Sequence, residues 1–266
     1  MLREITIGQY YPADSVIHKL DPRVKLFATL LFVISLFTFQ NVAGFLIATL
    51  FLIVLINLSK VPFHYMVKGL RAVIVILIIT ALFNLFLTPG EVLVEFGFIS
   101  ISREGVVSAV KMAIRLIYLI LGTSIITLTT TPNALTDGLE KSLSPLNAIK
   151  VPVHEIAMMM SIALRFIPIL VEETDKIMKA QIARGADFES GNLIKKAKNM
   201  VPLLVPLFIS AFRRANDLAM AMEARCYHGG SGRTKMKPLK YEKRDVAAYI
   251  IVVAYLAGMI AVNILL

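Results

Sequence analysis

From Val24 to Leu58 the chain is almost uninterruptedly apolar, and no other feature restricts its fold so sharply. As a single helix this stretch would run about 50 Å at 1.5 Å per residue, far beyond a hydrocarbon core of about 30 Å. Gln40-Asn41, with Gly44 close behind, offers a polar turn near its centre. The stretch therefore reads as two short helices forming a hairpin. Just ahead of it, Asp21-Pro22 is a helix-start signal, with Asp as N-cap and Pro at the first helical position. Arg23 and Lys25 then mark the cytoplasmic edge of the first span.

The apolar share of the 266 residues is 57%, and the mean hydropathy is +0.75. Both values belong to membrane proteins. The net charge of +10 would point to nucleic acid in a soluble chain, but here the basic residues flank apolar runs, so orientation in a bilayer accounts for them and no nucleic-acid partner is expected. The N-terminal residues Met1 to Thr6 lack a signal-peptide pattern. Residues 1–20 read as an ordered polar and aromatic leader.

Further spans follow. Lys60, His64, Lys68 and Arg71 make a basic loop, and a third span is expected from about Ala72 to Leu87, ended by Thr88-Pro89-Gly90. Residues 91–104 alternate apolar and polar side chains and carry three glutamates, which suits a small extracellular β-hairpin. A fourth span is expected over roughly Ala113 to Thr130, with Lys111 and Arg115 near its outer end, snorkelling toward headgroups or, for Arg115, facing the interior. The last apolar run, Val246 to Leu266, follows Lys243-Arg244-Asp245, with Asp245 as the expected N-cap. Basic residues dominate the N-terminus, the Lys60–Arg71 loop and residues 132–244, so all three are expected in the cytoplasm and the C-terminus outside. The fold class is an all-α membrane protein of about five transmembrane helices with long amphipathic cytoplasmic helices. Its expected parts are 1–131, 132–244 and 245–266.

Residues 132–244 carry a repeated pattern. One long helix is expected from Val153 to Ala183-Arg184-Gly185, and another from Leu193 to Ala224-Arg225-Cys226. Ile162, Phe166, Ile167, Leu170, Ile177 and Ala180 form an apolar stripe on the first. Leu204, Leu207, Phe208, Ala211, Ala215, Leu218 and Met222 form one on the second. Glu172–Lys176, Asp175–Lys179 and Arg213–Asp217 are spaced as i,i+4 pairs on the other faces, and Pro168, Pro202 and Pro206 should bend the helices. Such helices could simply cover a core or lie on a membrane, and helix ends often carry arginine and glycine for capping reasons. The doubling asks for more. Two arginines, 41 residues apart, each follow a slim alanine at a helix end, where the macrodipole favours a cation. A guanidinium so placed can enter a groove and pair bidentately with a partner's carboxylate.

Enzyme signatures are absent from the sequence. His18, His64, His154 and His228 are scattered, Cys226 is the single cysteine, and Gly229-Gly230-Ser231-Gly232 lacks the ending of a phosphate loop. No cofactor or metal is expected, nor ATP hydrolysis by this chain. An independent secondary transporter or channel is the alternative, but Asn57 and Asn84 are too few polar groups to line a pathway.

Several motifs in order then resemble the transmembrane (T) subunit of energy-coupling factor transporters, which are ABC importers. They are Gln9-Tyr10-Tyr11-Pro12 with Ser15, Leu20-Asp21-Pro22-Arg23 with Lys25, and Thr129-Thr130-Thr131-Pro132. Leu164-Arg165-Phe166-Ile167-Pro168 with Glu172-Glu173, Ala180-Gln181-Ile182-Ala183-Arg184-Gly185, Ala219 through Arg225, and Arg233-Thr234 complete the set. The resemblance implies a multi-pass plasma-membrane subunit that joins two cytoplasmic ABC-type ATPases to one substrate-binding S component, for uptake of a vitamin or a transition-metal ion. It also implies that Arg184 and Arg225 tip coupling helices, one seated in each ATPase, with Ala183, Gly185, Ala224 and Cys226 around them. The second motif carries Cys226 where glycine is commoner.

Overall fold

The computed structural model describes residues 9–39, 41–96, 99–188, 192–230, 236 and 238–265. Met1–Thr6, Gln40, Gly97, Phe98, Ser231, Gly232, Arg233 and Thr234, used in the reading above, lie outside them. Eight α-helices and one two-stranded sheet are present among the described residues. Contacts divide the chain into two units, residues 142–238 and a second comprising 9–141 with 239–265.

In the second unit, α1 (Pro22–Thr38) begins as Asp21 and Pro22 dictate, the Asp21 carboxylate accepting from the Arg23 N–H at 2.9 Å. α2 (Val42–Ser59) follows, and its Phe51 returns beside Phe32 of α1, ring centroids 6.0 Å apart, with α4 and α8 packed against both arms. At 17 and 18 residues, each arm is only about 26 Å long. α3 (Phe63–Leu87) starts straight after Pro62, nine residues before the expected Ala72, and is bent by 61° between Phe63–Arg71 and Val73–Leu87. Strands β1 (Val92–Phe96) and β2 (Ile99–Ser102) pair antiparallel as the alternation requires. α4 (Arg103–Thr129) starts ten residues earlier than expected because Ser102 caps it, its Oγ accepting from the Gly105 N–H at 2.9 Å. Arg115 consequently lies near the middle of α4 rather than at its outer end. α5 (Pro132–Leu143) opens on Pro132.

α8 (Lys243–Leu265) corrects another expectation: Asp245 is the third residue of the helix, not its N-cap. Its carboxylate reaches back to accept from the Glu242 N–H at 2.8 Å, the acidic half of a capping box. The other carboxylate oxygen accepts from the Asp21 N–H, also at 2.8 Å, so one buried side chain joins the starts of α1 and α8. Lys25 joins the start of α1 to the end of α4, its ammonium donating to the Thr129 carbonyl, the Thr130 hydroxyl and the His18 carbonyl. Farther along, Phe51 stacks on Tyr255 at 4.3 Å and the Tyr255 hydroxyl bonds Ser35 at 2.8 Å. Among lipid chains, packing and hydrogen bonds of this kind hold helices together in place of a hydrophobic drive. Gly122 is needed for it, because a Cβ there would overlap the Phe32 ring.

Four helices, α2, α4, α8 and α6 (Val153–Ala183), are long and apolar enough to cross a membrane, and the two parts of α3 taken as one span make five. The protein is a multi-pass membrane protein. α6 qualifies by length and composition despite Glu172, Glu173, Asp175, Lys176 and Lys179 in its second half. A 3₁₀ turn (Ser144–Ile149) precedes it, and α7 (Leu193–Glu223) completes its unit.

Candidate functional site: two matched helix ends

Both long helices run without interruption through their prolines. Proline supplies no N–H, so Pro206 leaves the carbonyl of Pro202, four residues back, without its helical partner. The Gln181 side chain of α6 donates to that carbonyl at 3.3 Å. Farther along, Arg214 of α7 pairs with Glu173 of α6 at 2.8 Å. Beyond that, Ile162, Phe166 and Leu170 face Ala215, Leu218 and Met222 across a cavity of about 270 Å³. Contacts that climb α6 while descending α7 make the pair antiparallel.

The ion pairs differ from those the spacing suggested. Among the described residues, Glu172–Lys176, Asp175–Lys179 and Arg213–Asp217 do not come within ion-pair distance, and the pair that forms is Arg214–Glu173 between helices. Sequence reasoning missed it because i,i+4 spacing reports only neighbours on one helix. A second apolar face of α7 is exposed as well: Val201, Val205, Ile209 and Phe212, in addition to Leu204 and Phe208 of the expected stripe.

The two helix ends are built alike. In the first, the Ala186 N–H donates to the Gln181 carbonyl and the Gly185 N–H to the Ile182 carbonyl. In the second, the Tyr227 N–H donates to the Met222 carbonyl and the Cys226 N–H to the Glu223 carbonyl. Each set is the crossed pair of a Schellman stop, which needs a left-handed residue just past the helix. Gly185 provides it with φ +86°, and Cys226 provides it with φ +56°. Cys226 thus replaces glycine in residue type only; the backbone it adopts is the glycine one. Ala183, Arg184 and Gly185 are all exposed, as are Ala224, Arg225 and Cys226. Among the described residues neither Arg184 nor Arg225 holds an acceptor, so both guanidiniums are available to a partner.

The antiparallel pairing separates these ends. Gln181, three residues before Arg184, sits at Pro202, whereas Arg225 lies 23 residues farther along α7, or about 35 Å at the helical rise.

Comparison with known proteins completes the picture. Residues 13–236 match the CbiQ family, described as cobalt transport proteins. A protein of Clostridium kluyveri named energy-coupling factor transporter transmembrane protein EcfT is 58% identical over 250 residues, 93% of each chain. Proteins of the same name from Thermosediminibacter oceani and Bacillus subtilis are 55% and 48% identical, each over 94% of this chain and over 94% and 95% of their own. The chain belongs to this family of energy-coupling factor transporter transmembrane proteins. Its members are named as transmembrane proteins of energy-coupling factor transporters, which is consistent with a non-catalytic membrane subunit.

Proposed function

We propose that this chain is the coupling subunit of an energy-coupling factor importer, carrying motion from two cytoplasmic ABC-type ATPases to one S component that binds the substrate. The observation that carries the reading is the pair of matched helix ends. Each ends on an exposed, unengaged arginine presented by the same backbone stop, and the antiparallel arrangement separates them. In this reading Arg184 enters one ATPase and Arg225 the other, with Ala183 and Ala224 leaving room beside each guanidinium and Gly185 and Cys226 turning the chain away. ATP hydrolysis belongs to the partners, and the vitamin or transition-metal ion to the S component.

Residues 1–131 and 245–266 form the membrane part and residues 132–244 the cytoplasmic part. The distribution of Lys and Arg supports a cytoplasmic N-terminus, a cytoplasmic coupling part and a C-terminus outside. The β1–β2 hairpin, preceded by Glu91 and containing Glu95, then lies outside as well. Closure of the ATPase pair on ATP would act on both helix ends at once, and α6 and α7 would carry the displacement onward.

Charge reversal tests this reading. Arg184→Glu or Arg225→Glu, in the complete complex reconstituted in vesicles, should reduce ATP-driven substrate uptake at least tenfold while leaving the chain folded. Normal uptake by both variants would refute it, and uptake by this chain alone without ATPases would favour an independent transporter.

A further inference from the structure

Arg115 is a cation without an adequate partner. It sits near the middle of α4, and its best acceptor is the Phe39 carbonyl at the end of α1, 3.5 Å from a terminal nitrogen. The Phe37 ring lies 5.6 Å from the guanidinium carbon. Nε is shielded from solvent and has no acceptor, and no acidic group among the described residues pairs with the guanidinium. A guanidinium carries five N–H donors, so most of its capacity is unused.

The neighbourhood is built to receive an anion. Lys111 lies one turn before Arg115 on α4. This side of α4 is turned to the α1–α2 hairpin, since Tyr118 packs against Phe45 and its hydroxyl bonds that of Thr49. α2 starts at this hairpin, and its N-cap Asn41 makes no side-chain capping bond, leaving the positive end of that helix uncapped by its own residue. The Phe37 ring beside the guanidinium is exposed, as are Val42 and Leu46 on α2 and Val110, next to Lys111 in sequence. Thr38, Gln40 and Asn41 interrupt the apolar run here, which puts the hairpin turn at a membrane–water boundary. A cationic centre at that level with an apolar rim matches the two ends of a phospholipid.

We propose that Arg115 and Lys111 bind the phosphate of an anionic phospholipid at the α1–α2 turn. The guanidinium can offer two parallel N–H groups to phosphate oxygens, the ammonium adds charge, and the exposed apolar side chains flank the acyl chains. The site is distinct from the coupling ends and does not depend on their assignment.

The test uses the full chain, purified in detergent, stripped of lipid and titrated separately with phosphatidylglycerol, phosphatidylcholine and inorganic phosphate. Bound lipid is counted by native mass spectrometry and the unfolding midpoint is followed. Phosphatidylglycerol should be retained and raise the midpoint. Arg115→Gln should weaken retention at least tenfold, Lys111→Gln a few-fold, and Arg115→Lys by an intermediate amount. The last two keep the test decisive if Arg115→Gln does not fold. Equal retention by wild type and variants would overturn the proposal. So would inorganic phosphate acting as well as phosphatidylglycerol, and so would a midpoint lowered by Arg115→Gln equally with and without lipid, which would leave Arg115 as a cap on α1. Loss of a membrane partner with lipid retention unchanged would overturn it in favour of a partner's carboxylate.

Discussion

Replacing Cys226 by glycine should tighten the end of α7, and the expected size follows from the backbone. At φ +56° Cys226 holds a left-handed conformation that costs a residue with a Cβ about 1–2 kcal/mol. Glycine removes that cost but loses more freedom on ordering, about 0.5–1 kcal/mol. The net gain for Cys226→Gly lies between about 0 and 1.5 kcal/mol, and about 1 kcal/mol is roughly a fivefold shift against fraying of the last turn. The reciprocal change is Gly185→Ala at φ +86°, where an added Cβ would meet nothing within 4 Å. Its cost is therefore purely conformational, about 1 kcal/mol or somewhat more. Amide hydrogen exchange reads both. Protection of the Cys226 and Tyr227 positions, whose N–H groups close the stop, should rise about fivefold in Cys226→Gly, and protection at residues 185 and 186 should fall similarly in Gly185→Ala. Unchanged exchange in both variants would refute the claim that the two ends share one stop.

Three other outcomes follow from contacts already described. Gln181→Ala should cost about 1 kcal/mol in an otherwise unaltered chain, and almost nothing in a Pro206→Ala background, where the restored backbone N–H reclaims the Pro202 carbonyl; a thermal-unfolding double-mutant cycle checks it. Asp245→Ala should lower stability by about 2–4 kcal/mol, because the buried N–H of Asp21 and the part-buried N–H of Glu242 both lose their acceptor; Asp245→Asn, retaining one acceptor, should lose less. Burial pushes the Asp21 carboxyl up, but the Arg23 guanidinium and N–H and the charges of Arg23 and Lys25 outweigh it and hold the group below the usual carboxylate range. Its stabilising contribution should be complete above about pH 4 and be lost as pH falls through the depressed value, so unfolding midpoints should drop on acidification in wild type and less in Asp21→Asn.

Much of this architecture was legible in the sequence wherever a local signal coincides with a backbone event. Asp21-Pro22 starts a helix, the overlong apolar run is divided between Thr38 and Val42 with Asn41 as N-cap, and α6 and α7 end where alanine and arginine meet a residue that can turn left-handed. The limit expected near Ala72 appears as the 61° bend of α3 between Arg71 and Val73, while the start of α4 was not legible. Basic side chains at Lys111 and Arg115 look like the limit of a span, yet α4 continues through them. The cap of α4, Ser102, is hidden in an alternating stretch that reads as strand up to that residue. Asp245 was assigned to the wrong capping position because the acceptor in a capping box sits three residues after the cap, and its second bond, to Asp21, joins residues 224 apart in sequence. At the candidate site, the arginines were visible from the repeated motif. Their separation was not, since it depends on the pairing of Gln181 with Pro202 and of Glu173 with Arg214, neither of which has a periodic signature.

The central claim is that each helix end meets its own ATPase. Photoreactive residues placed at Ala183 and at Ala224, with both arginines intact, test it in the assembled complex. The account predicts an ATPase cross-link from each position and two ATPase copies on a chain labelled at both. Cross-links from both positions to one and the same copy, or none from either, would contradict it.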